Sequence, residues 1–135
     1  VRSLIPPSSK RLLDIGCGPV STDYAFASYA DTVVAVDWRL DVKSPPPNNV
    51  LLRGGDFINI DLPYSEFDVI VASDVFEHVS IENEAAFAQR CLKLLAPGGS
   101  LIVSVPNAGT YAWLDPYQVK PLIGRVALKL GLTGQ

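Results

Sequence analysis

The chain contains no methionine, two cysteines and one histidine among its 135 residues. Cys17 and Cys91 are far apart and form no CxxC pair, so we expect two free thiols in a reducing cytoplasm rather than a disulfide or a metal site. A single histidine without a second group of ligands also argues against a metal centre. The missing methionine indicates either that the initiator is removed or that the chain is part of a longer protein.

Long apolar runs and basic clusters are missing too. No apolar run approaches the roughly 20 residues that span a bilayer, and residues 1–11 contain no apolar segment typical of a signal peptide. The net charge of −3 argues against bulk nucleic-acid binding but is compatible with a small nucleotide-like ligand. A hydrophobic content of 48% and a charged content of 19% are typical of one globular domain of this length.

Five short apolar runs are present, and each is typical of a strand that is buried on both faces. Their alternation with helical or irregular stretches predicts an α/β domain with a parallel sheet. The predicted strands are Arg11–Ile15, Thr32–Trp38, Asn49–Arg53, Phe67–Ala72 and Ser100–Val105. The predicted helices are Thr22–Tyr29, with Ser21 or Thr22 as N-cap, and Ile81–Leu95, which Pro97-Gly98-Gly99 would end.

Acidic, glycine and serine residues follow the carboxyl ends of four of these strands. In open parallel sheets, ligands bind beyond those ends, close to the point where the strand order reverses. We therefore expect one crevice lined by Asp14, Gly16, Gly18, Asp37, Asp56, Ser73 and Asp74.

The first strand ends in a glycine pair. Gly16 and Gly18 lack Cβ atoms where the backbone must turn sharply, although a lone GxG is often just a tight turn. Asp14 favours the interpretation as a ligand site, because burying a carboxylate at a strand end costs free energy unless it accepts a hydrogen bond. Ser21 replaces the third glycine of a dinucleotide site, and Pro19 lacks an N–H that a pyrophosphate would use. The loop therefore suits an adenosine-containing ligand without a pyrophosphate.

Asp37 ends the second strand, 21 residues after Gly16. In nucleotide-binding α/β folds this position binds the two ribose hydroxyls through its two carboxylate oxygens. An exposed turn acid is the alternative, but the glycine pair at this spacing favours ribose binding.

Five segments resemble, in order, the motifs of the class I S-adenosylmethionine-dependent methyltransferases: LLDIGCGPV, VVAVDW, GGDF, FDVIVASDVFEHV and LLAPGGSLIVSVPN. The resemblance spans residues 10–107. It implies a Rossmann-like three-layer sandwich with a mostly parallel sheet of strand order 3-2-1-4-5. The D-x-x-E-H-V segment is most similar to small-molecule methyltransferases that modify quinones or sugars. The implied acceptor is therefore a small molecule or a glycan, with O-methylation favoured.

The resemblance also implies a site for S-adenosyl-L-methionine. The glycine loop with Asp14 would contact the methionine end, Asp37 the ribose, and Asp56 with Phe57 the adenine. Ser73 would lie beneath the sulfonium. The full set of implied cofactor contacts is Asp14, Gly16, Cys17, Gly18, Asp37, Trp38, Asp56, Phe57 and Ser73.

Asp74 and His78 are the candidate catalytic residues, because they follow the fourth strand where the acceptor should enter. A general base helps methyl transfer when the acceptor is a hydroxyl, and histidine titrates in the right range. His78 would equally suit a structural role, in which it caps or orients the following helix.

The resemblance ends at Asn107. The family's sixth strand and antiparallel seventh strand have no counterpart in the sequence after it, so we expect a truncated chain that lacks this pair. Residues 1–107 would be the cofactor-binding core, and residues 108–135 an acceptor-side or lid segment containing Tyr111, Trp113 and Tyr117. Residues 119–130 form a basic amphipathic pattern. It predicts a helix packed on its own domain, with a lid or a peripheral membrane contact as alternatives.

Two other functions fit parts of the sequence. A non-catalytic domain that binds the cofactor or a partner is favoured by the missing strand pair. An NAD(P)-dependent reductase is disfavoured, because the third glycine and a Tyr-x-x-x-Lys pair are both missing.

Overall fold

A computed structural model describes residues 1–18, residues 24–105 and the main chain of residues 127–128. Its centre is one sheet in which five strands run parallel in the order β3-β2-β1-β4-β5. This order confirms the predicted one. The strands are Arg11–Ile15 (β1), Thr32–Asp37 (β2), Val50–Gly54 (β3), Phe67–Ser73 (β4) and Leu95–Ser104 (β5).

The ends of the first four strands agree with the predicted ends to within one residue. The fifth strand differs, since it begins at Leu95 and not at Ser100. Phe67 pairs with Leu95 and Val69 with Ser100, so four residues of β5 stand opposite one residue of β4. This bulge keeps the Pro-Gly-Gly sequence inside the strand. The sequence signals a break there, but pairing with β4 continues on both sides of it.

Both faces of the sheet are buried. Alternate side chains of β1, β2 and β4 point to opposite faces, as in any strand. One face packs against helix α1 (Ile81–Leu94), whose Phe87 and Cys91 are buried there, which confirms the predicted helix. The other face packs against the segment 24–30, of which Phe26 is buried. The first core contains Leu13, Ile15, Val34, Val36, Ile70 and Ala72, and the second contains Leu12, Val33, Ala35, Val69, Val71 and Ile102.

The predicted helix over Thr22–Tyr29 is wrong in the part that the structure describes. Residues 25–30 form turns and bends instead. The side-chain amide of Asn49 donates hydrogen bonds to the carbonyls of Ala27 and Ala30, at 2.8 and 3.2 Å. The Ala27 and Tyr29 N–H groups donate to carbonyls three residues earlier, Tyr24 and Phe26, as in successive turns rather than in an α-helix. The proposed N-caps Ser21 and Thr22 lie outside the described residues.

One further strand lies beside β5. Strand β6 (Ala127–Leu128) pairs antiparallel with Leu101 and Ile102. This differs from the expectation that no strand follows Asn107, and it contradicts a helix at these two residues of the 119–130 segment. Tyr111, Trp113, Tyr117 and the rest of that segment lie outside the described residues. In the described part of the chain, no helix is long and apolar enough to cross a bilayer.

Candidate functional site

The register of the sheet brings the ends of three strands together. Ile15 of β1 lies opposite Val36 of β2 on one side and Ala72 of β4 on the other. The residues that follow these three therefore emerge at the same edge of the sheet. They are Gly16, Asp37 and Ser73, three of the positions predicted to share a crevice.

Asp37 faces the turn that contains the two glycines. The Gly18 N–H donates to one carboxylate oxygen and the Arg39 N–H to the other, both at 2.8 Å. The Gly16 and Cys17 N–H groups donate to the Val36 carbonyl at 2.8 and 3.2 Å, which holds the turn against β2. Each carboxylate oxygen keeps a further lone pair, so a vicinal diol can still donate to both.

The two glycines are required for different reasons. Gly16 has a φ of +75° and Gly18 a φ of +69°, a backbone conformation that costs other residues free energy. A Cβ on Gly16 would overlap the Cγ2 methyl of Val75, whereas a Cβ on Gly18 would meet no atom of the described residues within 4 Å. As far as the described residues show, Gly16 is thus fixed by packing and by conformation, and Gly18 by its conformation.

Asp14 is the most unusual acid of the site. It is 9% exposed and lies between Ala35 and Val71 in the sheet, on the face that carries apolar side chains. Burial, and secondly the negative charge of Asp37, raise the pKa of the Asp14 carboxyl to about 7. Within residues 1–18 and 24–105, no group donates a hydrogen bond to this carboxyl. A cationic group beside Asp14 would favour the ionised form of this carboxyl.

A small cavity of about 30 Å³ lies beside Asp14. Among the described residues, this cavity has room for about one water molecule. The residues around the cavity are Asp14, Cys17, Tyr24, Ala25, Phe26, Ala27, Val33, Ala35 and Val50.

Cys17 contributes a neutral thiol. Burial, followed by the charges of Asp14 and Asp37, raises its pKa to about 12. Cys91 is buried in the core and its pKa is likewise raised to about 12, chiefly by burial. Because a thiolate is the nucleophilic form, neither cysteine is suited to attack a substrate. In the described residues, no three potential ligands gather as a metal site would need.

Ser73 meets a residue that the sequence reasoning missed. Its hydroxyl lies 2.6 Å from that of Ser104, the last residue of β5, and the two are paired in the sheet register. The Asp74 N–H donates to the Ser104 carbonyl at 2.9 Å. A polar residue that ends an apolar strand is the signal shared by Ser73 and Ser104, and it could have identified the second one.

The loop after β4 carries both candidate catalytic residues. Asp74 is exposed and has a φ of +55°, which is uncommon outside glycine. His78 is exposed at the end of the 3-10 turn Phe76–His78, and its N–H donates to the Val75 carbonyl at 2.9 Å. Within the described residues, no hydrogen bond joins its imidazole to helix α1. Its predicted role as a base stays a prediction, as does the structural alternative.

The two residues assigned to adenine differ in environment. Asp56 is exposed, and its oxygens accept from the Ile58 N–H at 3.0 Å and the Asn59 side-chain amide at 2.6 Å. Phe57 is buried, with its ring 5.0 Å from that of Phe87 in an edge-to-face arrangement. Asp56 thus stabilises its own turn and Phe57 packs in the core, so their contact with adenine stays a prediction.

Trp38 offers a more accessible ring than Phe57. It directly follows Asp37 and is 70% exposed, and the Arg39 guanidinium lies 4.1 Å from its ring centroid. A flat ring next to a carboxylate that suits ribose is well placed to stack on a base. Its assignment to the cofactor also stays a prediction.

Arg90 of helix α1 holds the loop that follows β3. Its guanidinium donates to the Ile58 carbonyl at 2.9 Å and also to the Ile60 carbonyl, and it lies 5.4 Å from the Phe57 ring centroid. No sequence pattern indicates this contact, because Arg90 lies 30 or more residues from its partners.

Removing the Arg90 guanidinium should therefore destabilise the fold. We expect Arg90→Ala to lower the free energy of unfolding by about 2 kcal/mol, since hydrogen bonds to charged groups contribute about 1.5–3 kcal/mol. Urea unfolding measures this change. The exposed neighbour Gln89 provides the control, and Gln89→Ala should change stability little. Equal stabilities of the two variants would show that the contact contributes nothing.

Comparison with known sequences identifies the family. Residues 13–103 match the sequence profile of a family described as "Methyltransferase domain". The matched segment contains the glycine turn, Asp37 and the loop after β4. The chain belongs to this methyltransferase domain family. The resemblance drawn from the five motifs is therefore confirmed.

Two relatives of the methyltransferase domain extend the comparison. A probable S-adenosylmethionine-dependent methyltransferase of Mycolicibacterium smegmatis is 30% identical over 124 residues, covering 85% of this chain and 47% of the relative. A ubiquinone biosynthesis O-methyltransferase of a Bradyrhizobium species is 33% identical over 119 residues, covering 78% of this chain and 44% of the relative. The chain spans less than half the length of these curated relatives.

A solved structure supports the fold of the domain. The N-methyltransferase NodS from Bradyrhizobium japonicum, in complex with S-adenosyl-L-homocysteine, aligns with a TM-score of 0.59 and 18% identity. The alignment covers 71% of this chain and 52% of that chain. At this identity the similarity shows that the two proteins share the Rossmann-like fold.

Proposed function

We propose that this chain binds S-adenosylmethionine and provides the cofactor-binding core of an enzyme that methylates a small-molecule or glycan-like acceptor. The observation that carries the proposal is the contact between the Asp37 carboxylate and the Gly18 N–H at 2.8 Å. It joins the acid that would bind a ribose to the turn that would bind the methionine end.

The chemistry of the edge suits a cationic adenosyl ligand. Asp37 offers two acceptors for the ribose hydroxyls, and the half-exposed glycine turn lets a ligand approach the backbone closely. Asp14 would face the ammonium group of the methionine end, whose charge offsets the cost of ionising a buried carboxyl. These contacts support a ligand with a ribose at one end and a positive charge at the other.

When bound, S-adenosylmethionine supplies an activated methyl group on a sulfonium that is a good leaving group. The protein then has to position the acceptor in line with the methyl group and the sulfur. Asp74 and His78 lie on the loop after β4, next to the Ser73–Ser104 pair, and would accept the proton of a hydroxyl acceptor. The name of the ubiquinone O-methyltransferase relative favours an oxygen acceptor.

Several further expectations accompany this proposal. Residues 1–107 would form the core and residues 108–135 the acceptor side or lid, with membrane contact of residues 119–130 as an alternative. The two free thiols favour the cytoplasm, and the net charge of −3 argues against nucleic acid as a partner. A non-catalytic domain that binds the same cofactor is the second candidate.

Isothermal titration calorimetry tests the proposal. The chain should bind S-adenosylmethionine and S-adenosylhomocysteine, while NAD should produce no heat, because the glycine turn lacks a third glycine. Transfer of radiolabelled methyl groups to quinol, phenol and sugar acceptors then separates the two candidates. Cofactor binding without transfer to any acceptor favours the non-catalytic domain, and lack of cofactor binding contradicts both.

A further inference from the structure

The loop that follows β4 rests on the glycine turn. We define the acceptor loop as residues 74–78, which connect β4 to the residues before helix α1. Its Val75 places the Cγ2 methyl in the space that any side chain at position 16 would fill, and a Cβ on Gly16 would lie 3.4 Å from the Val75 Cβ. The two segments are thus in van der Waals contact at Gly16, where the turn has no side chain.

Both partners of this contact are fixed to other parts of the site. On one side, the Gly16 N–H is bound to the Val36 carbonyl, and the Gly18 N–H to Asp37. On the other side, the Asp74 N–H is bound to the Ser104 carbonyl, next to Val75 in the chain. A displacement of the turn would therefore push Val75 and not be absorbed by a loose loop.

Val75 is also linked to the candidate base. The Val75 carbonyl accepts the His78 N–H at 2.9 Å, which closes the 3-10 turn between them. Val75 packs against the core cluster that contains Ile15 and Phe87, so its backbone position is set from within the fold. The exposed imidazole of His78 thus lies one hydrogen-bonded turn away from the side chain that touches Gly16.

We propose that Val75 is a positioning residue that couples the glycine turn to the acceptor loop, so that a ligand bound at the turn sets the position of His78. The inference rests on the proposed function, since it takes an adenosyl compound as that ligand. Val75 has no reactive group, and its role would be to align the glycine turn with the acceptor loop.

The single histidine of the chain gives a direct measurement. The imidazole proton signals of His78 are recorded by NMR with and without saturating S-adenosylhomocysteine. We expect a ligand-induced shift in the wild type, a shift reduced by at least about half in Val75→Ala, and a wild-type shift in Val75→Thr, which keeps the branched shape. A direct effect of the ligand on His78 would persist in Val75→Ala at saturation, and that result would overturn the coupling.

The glycines provide a matched pair for a second test that does not depend on His78. Gly16→Ala and Gly18→Ala both place an alanine at positive φ, but Gly16→Ala alone adds an overlap with Val75. We expect Gly16→Ala to lower the affinity for S-adenosylhomocysteine by at least about tenfold more than Gly18→Ala does. Adding Val75→Ala should restore most of that difference in the Gly16 variant, because the nearest side-chain atom is then 3.4 Å away. It should not rescue Gly18→Ala.

The outcomes separate this inference from the proposed function. A wild-type chain that fails to bind S-adenosylhomocysteine overturns both. A chain that binds it normally, with an unshifted His78 signal or with no rescue of Gly16→Ala by Val75→Ala, overturns the coupling alone. If Val75→Ala does not fold, Val75→Thr and the two glycine variants still decide, since Gly16→Ala and Gly18→Ala with equal affinities contradict the proposed contact.

Discussion

Replacing Asp37 by alanine should reduce the affinity of the chain for S-adenosylhomocysteine by about 100-fold or more. The variant would lose the two hydrogen bonds that the ribose hydroxyls donate to the carboxylate. Hydrogen bonds to charged groups contribute about 1.5–3 kcal/mol each. The variant would also release the Gly18 and Arg39 N–H groups, which now bond to Asp37 at 2.8 Å. Calorimetric titration of the purified variant measures the loss.

Two further variants make this result specific. Asp31 lies just before β2, is exposed, and has the same charge as Asp37 but sits at the opposite end of the strand. Asp31→Ala should bind as the wild type does. Asp37→Asn, which retains one acceptor oxygen, should fall between the wild type and Asp37→Ala. Wild-type affinity in Asp37→Ala would contradict both the ribose assignment and the proposed function.

The sheet could be predicted because its information is local. Each strand is apolar on both faces, as a strand between two layers must be, and this pattern is visible in segments such as Phe67–Ser73. The predictions differ from the structure in the 24–30 segment, in β5 and in β6, where residues distant in sequence are in contact. Asn49 donates hydrogen bonds to carbonyls of the 24–30 segment, which forms turns, and pairing with β4 carries β5 through a bulge. Neither contact leaves a periodic signal in the sequence.

In the candidate site, too, local patterns could be predicted and contacts between distant residues could not. Asp37 could be placed next to the glycine turn because both follow strands that adjoin in a parallel sheet. Val75 and Arg90 could not be found, since their importance lies in packing or in bonds to residues far along the chain. The sequence therefore predicts which residues stand at the edge, but not how the segments that carry them are held together.

The buried acid Asp14 should make the stability of the fold depend on pH. Its pKa is raised from 3.8 to about 7, so the folded state holds a proton that the unfolded state releases. The stabilisation is complete below pH 3.8 and is lost as the pH rises through about 7. Relative to Asp14→Asn, the wild type should lose about 3 kcal/mol of unfolding free energy between pH 4.5 and pH 8. Urea unfolding of both proteins at the two pH values checks this, and parallel pH profiles would contradict it.

The affinity for the ligand should also depend on the protonation of Asp14, but it should rise with pH whereas the stability falls. A cationic group beside Asp14 favours the ionised carboxylate and lowers its pKa, so binding releases a proton between pH 5.5 and 7.5. The affinity of the wild type for S-adenosylhomocysteine should therefore rise by about tenfold over this range, whereas that of Asp14→Asn should stay low and nearly constant. Calorimetry in buffers of different ionisation enthalpy detects the released proton. A wild-type affinity independent of pH would show that the ligand's charge lies elsewhere. Ionised Asp14 therefore destabilises the ligand-free protein, and it is also the form that binds the ligand.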